Sequence, residues 1–380
     1  MIFFVAATTF HPKIAEQTKS CFKNYWLAAL TILFFVPFIS GLWSTDKNAW
    51  AAAVQIKLPL LFFPIAFGGS WQLTKRQWKI IFGFFLLLVC CGCAWSLWQY
   101  AADLGAINES YLKAKSIPTL FENDHVRFSW LVAVAVAVTI LLREKMRHNL
   151  LRLSLMAVVI FLIVYLHILS ARTGLFCLYF FIVLFVVRGL FFSNKKKWLV
   201  PAIIIAIALP LLAWLLLPTF QNRVNYMLYD FSFIKNQTYQ PGSNDGARMF
   251  SIKAGWHVMN QQPFFGAGAG DVQAETNNWY AANVSGMVVT DKLYPSSEWL
   301  MYGVVAGWLG VFIFTAIMLL PFVLKTMRSH ILLVAVNSMA ALSFLFDIGL
   351  EVQFGVFVYI FVVLCCYKWL LFQKDFEPTK

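Results

Sequence analysis

The fold is decided by the stretch Leu153-Ser-Leu-Met-Ala-Val-Val-Ile-Phe-Leu-Ile-Val-Tyr-Leu-His-Ile-Leu169, which contains no lysine, arginine, aspartate or glutamate. It belongs to an apolar run that begins at Leu150, and a helix of about 20 such residues crosses a hydrocarbon core of about 30 Å. Five residues, Ser170-Ala-Arg-Thr-Gly174, precede a second apolar run that ends at Val187. The sequence therefore predicts two membrane-spanning helices joined by a very short turn.

The same apolar pattern repeats along the chain. Apolar residues make up 61% of the 380 residues and charged residues only 12%, which is about half the charge of a soluble domain. A buried core helix rarely exceeds about 14 apolar residues, so it does not account for repeated runs of this length. The fold class is predicted to be all-α and polytopic in a membrane, with about ten transmembrane helices. The predicted spans are 25–43, 57–73, 78–101, 126–142, 150–169, 173–187, 198–218, 297–324, 331–349 and 352–371.

Positive charge alternates between the two sides of this predicted topology. Every second connection, the two termini included, is short and carries far more Lys and Arg than Asp and Glu. The positive-inside rule places both termini in the cytoplasm. The net charge of +13 is therefore a topology signal, and no nucleic-acid partner is expected. The seven cysteines lie in spans or on the cytoplasmic side and lack a metal-ligand pattern, so no disulfide, metal or cofactor is expected.

The connections divide the chain into three parts. Residues 1–218 hold about seven spans, residues 219–296 form one long external loop, and residues 297–380 hold about three more spans. Long loops that depart from the usual length tend to carry function. The external loop is rich in Trp and Tyr beside polar residues, a composition that suits stacking against sugar rings or an ordinary interfacial aromatic belt.

A helix is predicted within this loop over residues 243–260. Arg248 falls in its first turn, where a cation opposes the helix dipole unless an anion binds there. A local pair between Arg248 and Asp245 is the alternative. His257 lies on the same predicted helix.

Two further arginines lie at the external ends of predicted spans. Arg172 occupies the five-residue turn, and Arg127 opens a span just after His125. Such residues face a polar cavity or extend to the membrane surface. Together with Arg248 they suit a pyrophosphate, which accepts paired, bidentate hydrogen bonds.

At these residues the sequence resembles the O-antigen ligase and O-antigen polymerase superfamily of bacterial membrane glycosyltransferases. The resemblance covers most of the chain, and the order of its short motifs strengthens it. The matching stretches are Gly-Leu-Trp-Ser44, Lys57-Leu-Pro-Leu-Leu-Phe-Phe-Pro64, Ser170-Ala-Arg-Thr-Gly174, Gly246-Ala-Arg248, Pro263-Phe-Phe-Gly-Ala-Gly268, Pro295-Ser-Ser-Glu-Trp-Leu300, Gly307-Trp-Leu-Gly310 and Glu351-Val-Gln-Phe-Gly355.

The resemblance implies the function. The donor would be a glycan on undecaprenyl diphosphate, and the acceptor lipid A-core or another glycan, at the periplasmic face of the bacterial inner membrane. Membrane lipid would surround the site, and neither a metal nor a cofactor would be needed. Carried over by motif, Arg172 and Arg248 match the arginines that hold the donor diphosphate.

Two departures from the family pattern bear on the mechanism. Members commonly carry a His-Asn pair where this chain has Ser296 and Ser297. Glu298 is then the nearest carboxylate that can act as the general base, and His125 and His257 are the external imidazoles. Serine capping of the helix, with Glu298 in its first turn, is the structural alternative. The family also has about 12 spans, so a truncated or inactive copy, with its first spans reduced to residues 1–10, is a further possibility.

Other functions fit the same outline. An O-antigen polymerase or a protein O-glycan transferase of the superfamily would use the same donor with a different acceptor. A polytopic lipid or glycan transporter would show internal repeats or ionisable residues near mid-membrane. The sequence contains no evident repeat. A non-catalytic scaffold is compatible with the same features.

Overall fold

The structure is a computed structural model that describes residues 2–120, 124–146, 148–192 and 199–376. Within these ranges the chain is helical and contains no strand. Trp198, with which one predicted span begins, lies outside them. The predicted all-α membrane fold is confirmed.

The helices follow one another with short connections. In chain order they are α1 (Ile2–Thr9), α2 (Ile14–Lys23), α3 (Tyr25–Ser40), α4 (Lys47–Ile56), α5 (Leu58–Phe67), α6 (Lys75–Ala102), α7 (Leu104–Tyr111), α8 (His125–Lys145), α9 (Asn149–Leu169), α10 (Arg172–Phe192), α11 (Leu199–Leu216), α12 (Pro218–Asn236), α13 (Asn244–Gln261), α14 (Val272–Asn283), α15 (Glu298–Val323), α16 (Lys325–Arg328), α17 (Ile331–Phe346) and α18 (Gln353–Phe376). Two 3₁₀ turns, Val289–Asp291 and Gly349–Glu351, complete the described elements.

The predicted runs can be compared with the candidate spans of the structure, which support a polytopic membrane fold. Each predicted run falls on a helix, but in the described part of the chain six helices are long and apolar enough to cross a membrane, or eight if two bent pairs each count as one span. The pairs α2–α3 and α11–α12 bend by 101° and 95°. The apolar helix Ile331–Phe346 is shorter than these, with 16 residues that rise only about 24 Å. Hydropathy finds apolar helices, but it does not measure whether they are straight.

The chain forms two compact units that differ from the predicted three-part division. Unit 1 contains Met1–Thr74, Gln237–Asn337 and Phe344–Lys380, and unit 2 contains Lys75–Asn236 with Ser338–Ser343. The division into 1–218, 219–296 and 297–380 follows membrane topology and stays a prediction.

Unit 2 is built around α8. Its Val/Ala segment from Val132 to Ala137 has no exposed surface, as expected for a helix that is apolar on every side. Helices α9 and α10 pack against it. The predicted turn allows this approach because a Cβ on Gly174 would lie 2.5 Å from the Cβ of Ser129. This close packing therefore requires glycine at that position.

Unit 1 contains a helix that reverses direction. In α15 the backbone leaves helical geometry at Ala306 and at Gly307, whose φ is +63°. The indole nitrogen of Trp299 donates to the hydroxyl of Thr315 at 2.9 Å, although 16 residues of straight helix would separate them by about 24 Å. Phe314 also stacks on Tyr302 at 4.7 Å between ring centroids. The two halves of α15 therefore lie side by side, and its length overstates its reach across a membrane.

The glycine-rich turn Pro263–Gly270 fills this break. Ala267 N donates to Val304 O at 2.7 Å, and Trp308 N donates to Pro263 O at 2.8 Å. These bonds satisfy backbone groups that a broken helix leaves without partners. Gly266 has a φ of +66°, and a Cβ there would lie 2.5 Å from Val304 O. This glycine-rich turn thus holds the two halves of the broken helix together.

Candidate functional site

Lys57 lies where α4 meets α5, at the middle of the candidate span Lys47–Phe67. The sequence placed residues 44–55 in an external loop, but most of them form α4 and extend the span. Lys57 is 2% exposed. Its Nζ lies 2.5 Å from Glu351 Oε1 and donates to Leu350 O at 3.1 Å. A buried lysine among apolar helices is costly unless it is paired, and here it is paired.

Glu351 ends the 3₁₀ turn that connects α17 to α18. Its side chain is 15% exposed, compared with 3% for Lys57. Tyr294 is its electrostatic neighbour: burial first, and the Glu351 carboxylate second, raise the pKa of the Tyr294 phenol above its ordinary value. The phenol therefore remains a hydrogen-bond donor.

Glu298 is fully buried beside this pair. Its Oε1 accepts a hydrogen bond from Leu350 N, in the same turn whose carbonyl accepts from Lys57. Its Oε2 is buried and has no hydrogen-bond partner among the described residues. An unsatisfied buried carboxylate oxygen costs about 1–3 kcal/mol or more, so it marks a group with a role beyond stability.

The structural alternative was that Ser296 or Ser297 caps α15 while Glu298 only occupies its first turn. The structure does not show this cap at Ser297. Ser297 occupies the N-cap of α15, but its side chain makes no capping bond. Its hydroxyl lies 3.4 Å from Phe344 O instead. Glu298 is held by a different element, the Gly349–Glu351 turn, and not by its own helix.

Arg248 lies in the first turns of α13, as predicted. Ser243 caps this helix and accepts from Gly246 N at 3.0 Å. The Arg248 guanidinium donates to Phe346 O, at the end of α17, at 2.9 Å. This bond uses one of the five N–H donors of a guanidinium. Arg248 thus lies next to Asp347, which is 6% exposed and interacts electrostatically with Glu298.

Ser296, the predicted substrate-binding serine, is buried against α13. Its hydroxyl oxygen lies 2.8 Å from that of Ser251, and its backbone N–H donates to Ser251 Oγ at 3.2 Å. Ser251 in turn donates to Arg248 O at 2.8 Å. Ser296 therefore joins the segment before Glu298 to the helix that carries Arg248.

These residues form one group within unit 1. We refer to Lys57, Arg248, Glu298, Asp347 and Glu351 as the charge cluster. Three of the five are carboxylates, and two are cations. His257, in contrast, has an exposed ring and lies nine residues beyond Arg248, about 13 Å along α13.

Unit 2 carries the other three predicted residues. Arg127 pairs with Asp124 at 3.3 Å, and Asp124 also caps α8 by accepting from Arg127 N at 3.1 Å. His125 is the first residue of α8 and is partly buried. Arg172 is the first residue of α10, after Ser170, whose φ of +49° ends α9 in the left-handed region.

Sequence reasoning missed Lys57, Asp347, Glu351 and Ser251 as site residues. Lys57 was placed at the start of a predicted span, and Asp347 and Glu351 fall at the junction of two others. The available signal was their charge. A lysine and two acids at the ends of apolar helices, all on one predicted side of the membrane, need partners of opposite charge. Nothing local indicates that residues 57 and 351 meet.

Comparison with known proteins gives one family. A family model described as O-antigen ligase matches residues 157–315. The matched stretch contains Arg172, Arg248, Ser296 and Glu298. No curated protein matches the chain.

Proposed function

We propose that this chain, which is a member of the O-antigen ligase superfamily of membrane glycosyltransferases, transfers a glycan from a lipid diphosphate to an acceptor hydroxyl at its charge cluster. The resemblance identified from the sequence motifs is confirmed by the family match. The reaction centre, the donor and the acceptor are our proposal.

The transfer needs little covalent chemistry from the protein. The acceptor oxygen attacks the anomeric carbon of the donor, the bond from that carbon to the diphosphate oxygen breaks, and the hydroxyl proton passes to a base. Diphosphate leaves with its bonding electron pair. Its growing negative charge needs fixed donors, which a guanidinium supplies in a bidentate arrangement. Arg248 is the proposed donor residue in unit 1, and Arg172, in unit 2, is proposed as a diphosphate-binding residue from its motif alone.

Glu298 is the proposed general base. Leu350 N fixes one carboxylate oxygen, which leaves Oε2 to accept the proton of the acceptor hydroxyl. Lys57, held by Glu351 and Leu350 O, supplies a positive charge near this carboxylate. Ser296 positions the start of α15 through Ser251. Arg127, His125 and His257 stay candidates for substrate binding.

A single observation carries this proposal. Lys57, at the middle of an apolar span, pairs with Glu351, is an electrostatic neighbour of Glu298, and donates to Leu350 O in the turn that follows the helix contacted by Arg248. Ionisable residues at this depth are expensive in a membrane and mark functional sites. A purely structural helix bundle has no need of them.

The donor, the acceptor and the side of the membrane are proposed from the resemblance to the family. We propose that the donor is a glycan on undecaprenyl diphosphate, that the acceptor is lipid A-core, and that the reaction takes place at the periplasmic face of the inner membrane with both termini in the cytoplasm. Another polymer unit or a glycosylated protein is the alternative acceptor. The proposed reaction requires neither a metal nor a cofactor.

A transporter of lipid or glycan is a second candidate. Two observations favour it, namely Lys57 in mid-span and the broken helix α15, since both features occur in transporters. Deletion of the gene separates the two functions. A transferase mutant accumulates lipid-linked glycan that has reached the periplasm, and gels of its lipopolysaccharide or glycoproteins lack the glycan. A transporter mutant retains the glycan at the cytoplasmic face.

Topology is tested by reporter fusions. A reporter fused after Gln240 is expected to be periplasmic and one after Ser329 cytoplasmic. The opposite result for either fusion would place the charge cluster on the wrong side for a periplasmic donor.

A further inference from the structure

A second candidate site lies in unit 1 at a cavity of about 480 Å³. It is formed where the end of α3 meets the turn after α13 and the start of α14. We infer that this cavity, the glycan groove, binds sugar residues of one of the two glycan substrates, an inference that rests on the proposed transfer function. Its lining residues are Trp43, Thr45, Gln262, Phe265, Asp271 and Glu275.

The apolar part of the groove is formed by two aromatic rings packed edge to face. Trp43 and Phe265 meet with centroids 5.9 Å apart and planes at 64°. Phe265 is 67% exposed, which is unusual for a phenylalanine held on a well-bonded turn. Sugar rings present flat faces of C–H groups, and such faces pack against exposed aromatic rings.

The polar part of the groove is made of hydrogen-bond acceptors and one amide. Glu275 and Gln262 line it, and both side chains are at least partly exposed. A carboxylate accepts hydrogen bonds from hydroxyls, and an amide both donates and accepts. This mixture matches the paired donor and acceptor character of sugar hydroxyls.

The groove is rigid because hydrogen bonds from backbone N–H groups to side-chain oxygens join its walls. Asp271 accepts from Thr45 N at 2.6 Å and from Asp46 N at 3.1 Å, which joins the end of α3 to the start of α14. Gly270 N donates to Ser44 Oγ at 3.1 Å. The turn that carries Phe265 also makes backbone hydrogen bonds to residues at the break in α15. A preformed site of this kind loses little entropy on binding.

The charge of the groove selects among possible occupants. Asp271 and Glu275 are its charged lining residues, and like charges placed together cost several kcal/mol. A phosphate or an acidic group is therefore disfavoured here. The groove is also separate from the charge cluster, since Gln262 lies 14 residues beyond Arg248, about 21 Å along α13. Neutral sugars at a distance from the diphosphate fit both facts.

The test is direct binding to purified full-length protein in detergent. The probes are the soluble donor glycan, released from its lipid by mild acid, and the soluble acceptor glycan, each prepared from the cells that encode the chain. We expect one of them to bind, and Phe265→Ala and Glu275→Gln each to weaken its binding about tenfold, near the upper value for one aromatic contact. The probe that responds identifies the source of the sugar.

Phe264→Ala is the matched control. Phe264 is 78% exposed and adjacent to Phe265, but it does not line the groove. If Phe264→Ala lowered binding as much as Phe265→Ala, both phenylalanines would be assigned to the membrane interface, and the inference would be overturned. Unchanged binding of both glycans in Phe265→Ala and Glu275→Gln would also overturn it. Tighter binding of a basic peptide, pentalysine, than of either glycan would do the same.

Binding and transfer are measured separately. If the wild-type protein binds a glycan through the groove but transfers none, the proposed reaction fails and the groove stands. If transfer proceeds with unchanged KM for donor and acceptor in both groove variants, the groove fails and the reaction stands.

Discussion

The charge cluster in unit 1 and the Arg127–Asp124 pair in unit 2 hold their charges in different ways. Lys57 and Glu351 are separated by most of the sequence, and Lys57 pairs with Glu351 and bonds to Leu350 O in the 3₁₀ turn that contains Glu351. Arg127 and Asp124 are three residues apart at the start of one helix, and their side chains are 12% and 13% exposed. The first pair depends on tertiary structure, whereas the second forms wherever α8 forms.

This difference indicates where function is to be sought. A local pair at a helix end stabilises its helix and needs no other purpose. The distant pair buries Lys57 in mid-span, and burial of that charge costs desolvation that an apolar group in its place would avoid. We therefore assign the reaction to unit 1, and the following predictions test that contrast.

The largest effect is expected for Lys57→Met. It removes one partner of a buried pair and leaves Glu351 without its cation, which typically costs about 3–5 kcal/mol. We expect a large fall in the unfolding temperature of the purified protein in detergent, together with loss of transfer.

The double variant Lys57→Met/Glu351→Leu distinguishes stability from catalysis. With both charges replaced by apolar groups, the unfolding temperature is expected to return close to that of the wild type. Transfer should stay lost. A stable and fully active double variant would show that the pair is dispensable for the reaction.

The next largest effect is expected for Arg248→Ala. Removal of a fixed donor to a developing charge lowers turnover by about 100- to 1000-fold. Arg248→Lys should recover little, since a single ammonium does not reproduce a bidentate guanidinium. Transfer rates in membranes, normalised to the amount of inserted protein, measure this.

Arg172→Ala provides the parallel test in unit 2. We expect a similar loss if Arg172 contributes to donor binding. Full activity of both alanine variants would exclude the diphosphate role for these residues.

A smaller effect is expected for Glu298→Gln. The amide preserves the shape of the side chain and can still accept from Leu350 N through its oxygen. It cannot take the proton of the acceptor hydroxyl, so turnover should fall about 100-fold, the low end of general-base contributions. Donor affinity should stay the same. Unchanged turnover would make Glu298 a structural residue and leave departure of the diphosphate to the arginines alone.

Much of the fold was accessible from the sequence because apolar runs and glycine-rich turns are local signals. All ten apolar runs fall on helices, and the motifs at Ser44, Gly266 and Gly307 are the ones that meet around the broken helix. The break itself was missed. Hydropathy averages over residues 297–324 and does not detect that Gly307 adopts a positive φ, which reverses the chain.

The site was only partly accessible for a similar reason. Arg248 and Glu298 were identified because each occupies the first turns of a helix that follows recognisable motifs. Lys57 and Glu351 were not, since their partnership depends on how α4, α5 and the Gly349–Glu351 turn pack. No property of either residue's own sequence neighbours specifies that packing.

The smallest effect is expected for Arg127→Ala. Its guanidinium lies 3.3 Å from both oxygens of Asp124, so much of its charge is compensated locally. Ion pairs three residues apart on one helix contribute about 0.5 kcal/mol or less, and the cap from Asp124 to Arg127 N survives the substitution because it involves the backbone. We expect transfer to fall less than about tenfold, which corresponds to about 1.4 kcal/mol. Asp124→Ala, which removes the cap as well, is the matched variant and should lower stability more than Arg127→Ala does. A loss of transfer in Arg127→Ala as large as in Arg248→Ala would break the contrast between the two regions, since it would give the local pair the same part in the reaction as the buried cluster.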